Sequence, residues 1–249
     1  MGGESLAERY ARLARTVSGV ERVGWLDPLQ QAVQFEVLLS LTIAPDASVL
    51  DVGCGVGDLL AALEARGFAG CYTGVDLLPA FVAEARTRFA HRPRTRFVVG
   101  DILTLTLPQH DFVFASGLFD YRTGDMPARF EQTIVRLEGW ARCALAWNGY
   151  YRLPPRRPDM WAVEPATVAA LCRRLSPFWQ FRADYAPGHY TAFLYRPDYW
   201  LTPALQTLIG RLFLDRTLLD ALRREPHAFA RRYGLTMQQL NMLAPLLTF

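Results

Sequence analysis

The chain contains no lysine: all 27 of its basic residues are arginine. Mechanisms that need a lysine amine, such as Schiff-base formation or a lysine general base, are therefore excluded for this chain. Cysteine is scarce as well, and none of the 4 cysteines stands in a Cys-x-x-Cys pair. We expect free thiols in a reducing compartment and no metal site.

Long apolar runs are also absent. No stretch of about 18 apolar residues occurs, which is the length that a transmembrane helix needs. Residues 1–9 carry charged side chains and no apolar signal core. These absences predict a cytoplasmic protein that neither spans nor binds a membrane. Apolar residues make up 51% of the 249 residues, which is enough for one large domain with a small appendage.

An excess of charge of one sign is small and local. The formal net charge is +3, and it arises in residues 201–249, which contain six arginines and three acidic residues. The rest of the chain is neutral. Because nucleic-acid binding depends on neutralising many phosphates, this distribution predicts no nucleic-acid partner.

Three alternating glycines interrupt an apolar segment near position 50. Residues 49–60 run Val-Leu-Asp-Val-Gly-Cys-Gly-Val-Gly-Asp-Leu-Leu, which is typical of a strand that turns directly into a helix. Residues without a Cβ allow both the tight turn and a close approach of the backbone to a ligand. The segment therefore predicts a site for a nucleotide-like ligand.

Two further predicted strands end in acids. Residues 71–76 end at Asp76, residues 95–99 lead into Gly100 and Asp101, and Asp51, Asp76 and Asp101 follow one another at intervals of 25 residues. Since neighbouring parallel strands end at the same edge of a sheet, we expect these carboxylates to line one crevice. An acid in the position of Asp76 can accept both hydroxyls of a ribose.

A dinucleotide site would use similar geometry, but its fingerprint Gly-x-Gly-x-x-Gly fails here, because position 58 is Asp. The glycine loop together with Asp51, Asp76 and Asp101 instead resembles the class I S-adenosylmethionine-dependent methyltransferases. The resemblance implies a set of cofactor contacts. The methionine part would lie at Asp51, Gly53, Cys54, Gly55 and Gly57, the ribose at Asp76, the adenine at Leu77, Asp101 and Ile102, and the sulfur near Ser116.

The same resemblance implies an α/β fold: a doubly wound, mostly parallel seven-stranded sheet of order 3-2-1-4-5-7-6, with strand 7 antiparallel. Residues 45–200 would form this domain, and residues 1–44 would form two helices, at 4–17 and 28–41, that cap the cleft. Trp25, Gln31 and Phe35 match a pattern in some small methyltransferases of this class, so Gln31 is expected near the cofactor. Gln34 stands where that group often has arginine, and helices that merely cover the sheet are the alternative.

The acceptor should lie above the carboxyl ends of strands four and five. Candidates after strand four are residues 119–122. A fifth strand is predicted at 144–148, and the candidates at and beyond its end are Trp147, Asn148, Tyr150 and Tyr151. Asp120 or Tyr121 could act as a base if the acceptor keeps a proton, or could merely line the pocket. Because Asn-Pro-Pro-Tyr and Pro-Cys motifs are absent, a small molecule or a peptide is the expected acceptor.

Residues 201–249 predict a separate helical appendage, with helices at 202–214, 216–224, 226–233 and 236–247. Their pattern resembles the small α-subunit domain of protocatechuate-type ring-opening dioxygenases. We expect this appendage to bind a protein partner, to form a homodimer or only to stabilise the fold. A non-catalytic S-adenosylmethionine-binding scaffold that acts through the appendage is the alternative function.

Overall fold

The computed structural model describes residues 6–155, 157, 159–201, 203–235, 239, 240 and 243. The chain divides into two compact units, residues 1–196 and residues 197–249. The elements of the first unit are α1 (Leu6–Thr16), a 3-10 helix (Gly19–Val23), α2 (Pro28–Leu38), β1 (Ser48–Val52), α3 (Asp58–Glu64), β2 (Cys71–Asp76), α4 (Pro79–Arg88), β3 (Thr95–Val99), β4 (His110–Ala115), α5 (Met126–Trp140), β5 (Ala141–Tyr150), α6 (Pro165–Leu175), β6 (Trp179–Arg182) and β7 (His189–Tyr195).

The seven strands form one sheet in the order β3-β2-β1-β4-β5-β7-β6. Strands β1 to β5 run parallel, and β7 is antiparallel to both of its neighbours. The predicted fold class is therefore confirmed. The order reverses between β2 and β4 around β1, so a crevice opens beyond the carboxyl ends of these strands.

The central strands are apolar because helices cover both faces of the sheet. Val49, Leu50 and Val113 are fully buried, and so are Leu145 and Trp147 of β5. One large cluster extends from β1 and β4 across α5 and α6 to β7. Burial of this continuous core fixes the strand ends, and with them the loops that carry the candidate site.

Several element boundaries differ from the sequence prediction. The fifth strand extends over ten residues rather than 144–148, because β7 pairs with it from Ala144 to Tyr150. Tyr150, which was predicted to begin the following loop, therefore lies in the strand together with Gly149. The 3-10 helix before Gly24 was not predicted, and α2 ends three residues before the predicted end at Leu41.

The second unit contains α7 (Pro197–Trp200), α8 (Pro203–Leu214), α9 (Arg216–Arg224) and α10 (Pro226–Tyr233). Its helices share an apolar cluster that includes Leu212, Leu222 and Phe229. Asp215 caps α9 through the backbone N–H groups of Thr217 and Leu218, and Gly234 ends α10 in a left-handed conformation. Most of the predicted fourth helix, including Thr236 and Leu247, lies outside the described residues.

Throughout the described part of the chain, every helix is too short or too polar to cross a lipid bilayer.

Candidate active site

A cleft runs along the carboxyl edge of the parallel strands and is open to solvent at its mouth. The loops after β1, β2, β3 and β4 form its floor, and residues of α1, the 3-10 helix and α2 form its roof. Most of the residues predicted from the sequence come together here. Its wall includes Gln31, Asp51, Gly53, Cys54, Gly55, Asp76, Leu77, Asp101, Ile102, Ser116 and Asp120.

The glycine loop is held against the end of β2. The backbone N–H groups of Gly53 and Cys54 donate to the carbonyl oxygen of Val75 at 2.8 and 3.0 Å. Gly53 and Gly55 have φ values of 76° and 53°, in the left-handed region that favours glycine. The backbone therefore lies open to the cleft, with no side chain at either position between it and a ligand.

Asp76 closes this loop. Its Oδ2 accepts a hydrogen bond from the backbone N–H of Gly55 at 2.9 Å, and its Oδ1 accepts one from Leu78 at 2.9 Å. Burial raises the pKa of the carboxyl, while the backbone donors oppose that shift. Each oxygen keeps a second lone-pair position, so the carboxylate is fixed in place and can still accept hydroxyl groups of a ligand.

Asp51, at the end of β1, is almost completely buried. The hydroxyl of Tyr72 on the neighbouring strand donates to its Oδ2 at 2.5 Å. Burial raises the pKa of Asp51 to about 7, although the bond from Tyr72 lowers it. Near neutral pH this carboxyl can therefore gain or lose a proton at the floor of the cleft.

Asp101 and Ile102 follow β3 at one end of the cleft. The Oδ1 of Asp101 accepts a bond from the backbone N–H of Leu103 at 2.9 Å, and Arg129 of α5 lies 4.0 Å from the same oxygen. Ile102 is buried and Leu77 is partly exposed. A carboxylate between two apolar side chains suits a flat heterocycle with an exocyclic amino group.

Ser116 is positioned by the fifth strand. Asn148, which is fully buried, donates from Nδ2 to the Ser116 hydroxyl at 2.9 Å and accepts the backbone N–H of Gly117 at 2.8 Å. One side chain of β5 thus fixes the turn after β4. Asn148 was predicted as an acceptor contact, but in the structure its polar atoms hold this turn.

The cap meets the helix that follows the glycine loop. Gln31 donates from Nε2 to Asp58 at 3.1 Å, and Arg88 donates to the other oxygen of the same carboxylate at 2.6 Å. Trp25 and Phe35 pack edge to face at 5.7 Å and both line the cleft. Gln34 is buried, and no described residue pairs with its Nε2.

Asp120 lies beyond the end of β4 with 7% of its surface exposed. Burial raises the pKa of its carboxyl to about 7, and Arg157 opposes the shift. Four tyrosines lie within electrostatic range of it, and burial raises the pKa of each: Tyr10, Tyr150, Tyr185 and Tyr190. An acid in this environment is poised to exchange a proton near neutral pH.

Two of the predicted cofactor and base residues, Gly57 and Tyr121, do not line the cleft. Six of the predicted acceptor contacts do not line it either, namely Phe119, Arg122, Trp147, Asn148, Tyr150 and Tyr151. Gly57 is the N-cap of α3, and a Cβ there would lie 2.6 Å from the ring of Phe89, so packing accounts for this glycine. Tyr121 lies behind Asp120, where the guanidinium of Arg9 stacks on its ring at 4.0 Å. It supports the wall and does not form it.

Histidines contribute to the structure around the cleft. The Nε2 of His189 lies 2.9 Å from the amide nitrogen of Gln30, which also donates to the Tyr150 hydroxyl. His110 bonds to Thr73 and Pro108 at the other edge of the sheet. Within the described ranges, no group of three or more His, Cys, Asp or Glu side chains is arranged to hold a metal ion.

Among the charged and hydroxyl-bearing residues of the cleft wall, sequence reasoning missed Tyr10, Asp58 and Arg129. Asp58 carried a signal, since it directly follows the glycine loop at the position where the dinucleotide fingerprint fails. Tyr10 and Arg129 carried none, because each is an ordinary member of a predicted helix.

The segment that forms most of the cleft wall also matches a known protein family. The family model described as "Methyltransferase domain" matches residues 49–137, from β1 through most of α5. This range contains the glycine loop, the three strand-end acids, Ser116 and Asp120.

Curated relatives extend the match. Rv1506c of Mycobacterium tuberculosis, whose name assigns it a methyltransferase activity, is 32% identical over 134 residues, which are 51% of this chain and 79% of that protein. Trans-aconitate 2-methyltransferase of Escherichia coli is 30% identical over 53% of this chain and 47% of that enzyme. The chain thus spans less than half of this second relative.

A solved structure shares the fold. Magnesium protoporphyrin IX methyltransferase from Synechocystis PCC 6803, solved with bound SAH (S-adenosylhomocysteine), superposes with a TM-score of 0.55 at 18% identity. The superposition covers 76% of this chain and 93% of that chain. None of the three proteins is a dioxygenase, so the resemblance predicted for residues 201–249 stays a prediction.

Proposed function

The chain belongs to the S-adenosylmethionine-dependent methyltransferases, and from that premise we propose that it transfers a methyl group to a small-molecule or peptide acceptor held beside Asp120. The observation that carries this proposal is the continuity of the cleft. It runs from Asp101 past Asp76 and the glycine loop to Ser116 and Asp120, so donor and acceptor positions share one space.

The residues of the cleft fit the cofactor. The open backbone at Gly53 and Gly55 and the fixed carboxylate of Asp76 suit the amino-acid part and the ribose. Asp101 and Ile102 would hold the adenine, with Leu77 on its face, and Asp51, Cys54, Gln31 and Ser116 would complete the methionine end. The excess of carboxylates also favours a cationic ligand.

When bound, S-adenosylmethionine supplies a methyl group on a positively charged sulfur. The task of this chain is then to hold the acceptor in line with that group and to keep water out, since orientation alone can supply much of the rate. Asp120 could take a proton from an acceptor that keeps one, because it lines the cleft, whereas Tyr121 does not. No observation favours the alternative of a non-catalytic scaffold.

Calorimetry on the Asp76→Ala variant tests the cofactor position. Loss of a charged acceptor for two hydroxyls should weaken S-adenosylhomocysteine binding by roughly 2–3 kcal/mol. Asp46→Ala is the matched control, because Asp46 is exposed and precedes β1 at the opposite edge of the sheet. Equal affinities in the two variants would remove Asp76 from the site.

A thermal-shift experiment tests the ligand class. S-adenosylhomocysteine should raise the melting temperature of the full chain by several degrees at saturation, since a ligand that binds only the native state stabilises it. NAD should not, because the cleft lacks the third glycine of the dinucleotide fingerprint. An equal shift with both compounds would contradict the proposal.

A further inference from the structure

The charge of the cleft wall is strongly one-sided. Among the described residues that form it, five are aspartates and the only cation is Arg129, which lies 4.0 Å from Asp101. Four of these carboxylates have donors of their own. They are Asp51 (Tyr72), Asp58 (Gln31 and Arg88), Asp76 (Gly55 and Leu78) and Asp101 (Leu103).

Asp120 is the exception. Its side chain is more than nine-tenths buried and faces the cleft, yet no described residue donates a hydrogen bond to its carboxyl group. Arg157 lies within electrostatic range, but it donates to Asp159 at 3.2 Å. A buried carboxylate without a donor is costly, so its position at the acceptor end of the cleft points to a ligand that supplies one.

The surroundings of Asp120 restrict that ligand. Tyr10 lies within electrostatic range of Asp120 and lines the same cleft as Trp25 and Phe35, and the faces of aromatic rings attract organic cations. An acceptor that carries a carboxylate would place a second anion beside Asp120, with no free guanidinium among the described residues of the wall to hold it. A hydroxyl could donate one hydrogen bond, whereas an amine could donate a bond and also carry the compensating charge.

We propose, on the basis of the methyltransferase function argued above, that the acceptor is an amine with an aromatic or other apolar body, and that its nitrogen is held by Asp120. The amine binds as an ammonium ion, and Asp120 takes one of its protons and passes it to water. The neutral nitrogen that results keeps one N–H bond to the carboxylate and has a free lone pair. A bond forms between nitrogen and the methyl carbon while the carbon–sulfur bond breaks, and its electron pair stays on the sulfur. The extra proton of the product passes to Asp120 and then to water.

The acid strength of Asp120 suits this assignment. Burial raises its pKa to about 7, so the carboxyl can take a proton from the product and return it to solvent near neutral pH.

Three probes with the same aromatic body test the proposal by calorimetry on the full chain saturated with S-adenosylhomocysteine: phenethylamine, 2-phenylethanol and 3-phenylpropionate. We expect phenethylamine to bind about tenfold or more tightly than the alcohol, as a charged hydrogen bond predicts, and the carboxylate not to bind. With S-adenosylmethionine, mass spectrometry should then detect N-methylphenethylamine.

The variant Asp120→Asn should remove this preference for the amine, whereas Asp46→Asn, which deletes an exposed carboxylate, should keep it. If Asp120→Asn does not fold, the three probes on the unchanged protein still decide. A carboxylate that binds as well as the amine, or an amine that does not bind, overturns the assignment. Failure of S-adenosylhomocysteine itself to bind would instead overturn the proposed methyltransferase function.

Discussion

At the scale of single residues, burial and hydrogen bonding separate the acids of the cleft. Asp51 and Asp120 both have a pKa raised by burial to about 7. Asp51 is held by Tyr72, and Asp120 has no donor among the described residues. This difference in partners is consistent with the functions proposed above, a fixed contact for the cofactor at Asp51 and an open contact for the acceptor at Asp120.

The unpaired burial of Asp120 predicts a dependence of stability on pH. Its native pKa is about 7 and the ordinary value is 3.8, so the native state holds more protons between these values and loses stability as the pH rises through them. Asp120→Asn removes this loss. The stabilisation by the variant should be larger at pH 8 than at pH 5, by roughly 2–3 kcal/mol.

Denaturant unfolding of both proteins at the two pH values measures this difference. Asp46→Asn, which removes an exposed charge, is the control. If the difference in unfolding free energy between wild type and Asp120→Asn does not change with pH, the carboxyl has a partner in the native protein.

A comparison of two glycines can distinguish backbone strain from ligand contact, because both have a φ in the left-handed region. Gly55 and Gly67 have φ values of 53° and 84°, but a Cβ on Gly55 meets Val23 at 3.2 Å in the cleft, and one on Gly67 meets nothing within 4 Å. Gly55→Val and Gly67→Val should each cost about 1–2 kcal/mol of stability. Only Gly55→Val should lose S-adenosylhomocysteine binding, as calorimetry can verify; equal loss in both would refute a specific contact at Gly55.

At the scale of elements, sequence patterns predicted the sheet better than its surroundings. Glycines and acids at regular intervals identify the ends of β1, β2 and β3, because the turn and the ligand both require those residue types. The end of β5 was placed two residues too early, since Gly149, shortly before a proline-rich segment, is typical of a loop. Gly149 and Tyr150 lie in a strand because β7 pairs with them, and pairing between distant segments leaves no local pattern.

The cap was predicted only as two helices. Its contacts depend on side chains that look ordinary in sequence, such as Arg9 and Tyr10. Arg9 forms an ion pair with Asp159 and stacks on Tyr121, and Tyr10 meets the same ring edge to face at 5.6 Å. These partners are more than 100 residues away in the sequence, so helical periodicity could not reveal them.

These contacts predict that Asp159 holds α1 in place. In Asp159→Asn the ion pair is lost, and the backbone amides of α1 should exchange with deuterium about tenfold faster, which corresponds to about 1.4 kcal/mol. Arg15→Ala, which changes an exposed arginine of the same helix, should leave exchange unchanged. Unaltered exchange in Asp159→Asn would mean that apolar packing alone holds the helix.

At the scale of the whole molecule, the cleft belongs to one unit. All of the described residues that form its wall lie before residue 196, and residues 197–249 have an apolar cluster of their own. A chain that ends at Arg196 should therefore bind S-adenosylhomocysteine within about threefold of the full chain. An insoluble truncation, or one that does not bind, would show that the second unit is needed to complete the first.

Light scattering on the same two chains tests the proposed partner function of residues 201–249. Phe213 and Leu214 of α8 are 72% and 89% exposed, and neighbouring apolar side chains of this kind often mark an interface. A dimer formed by the full chain and lost in the truncation would support self-association. If the full chain and the truncated chain have the same oligomeric state, residues 201–249 have no function in dimer formation.

Tyr10 packs in two apolar clusters at once, with Val56, Leu78 and Phe81 beside the glycine loop and with Tyr121, Tyr150 and Met160 near Asp120. A ligand that orders α1 at either end thereby orders it at the other. The methyl donor and the acceptor should consequently bind with positive cooperativity, so that each ligand lengthens the residence time of the other. We therefore predict that release of the methylated product is coupled to movement of α1, in which case the opening rate of this one helix sets an upper limit on turnover.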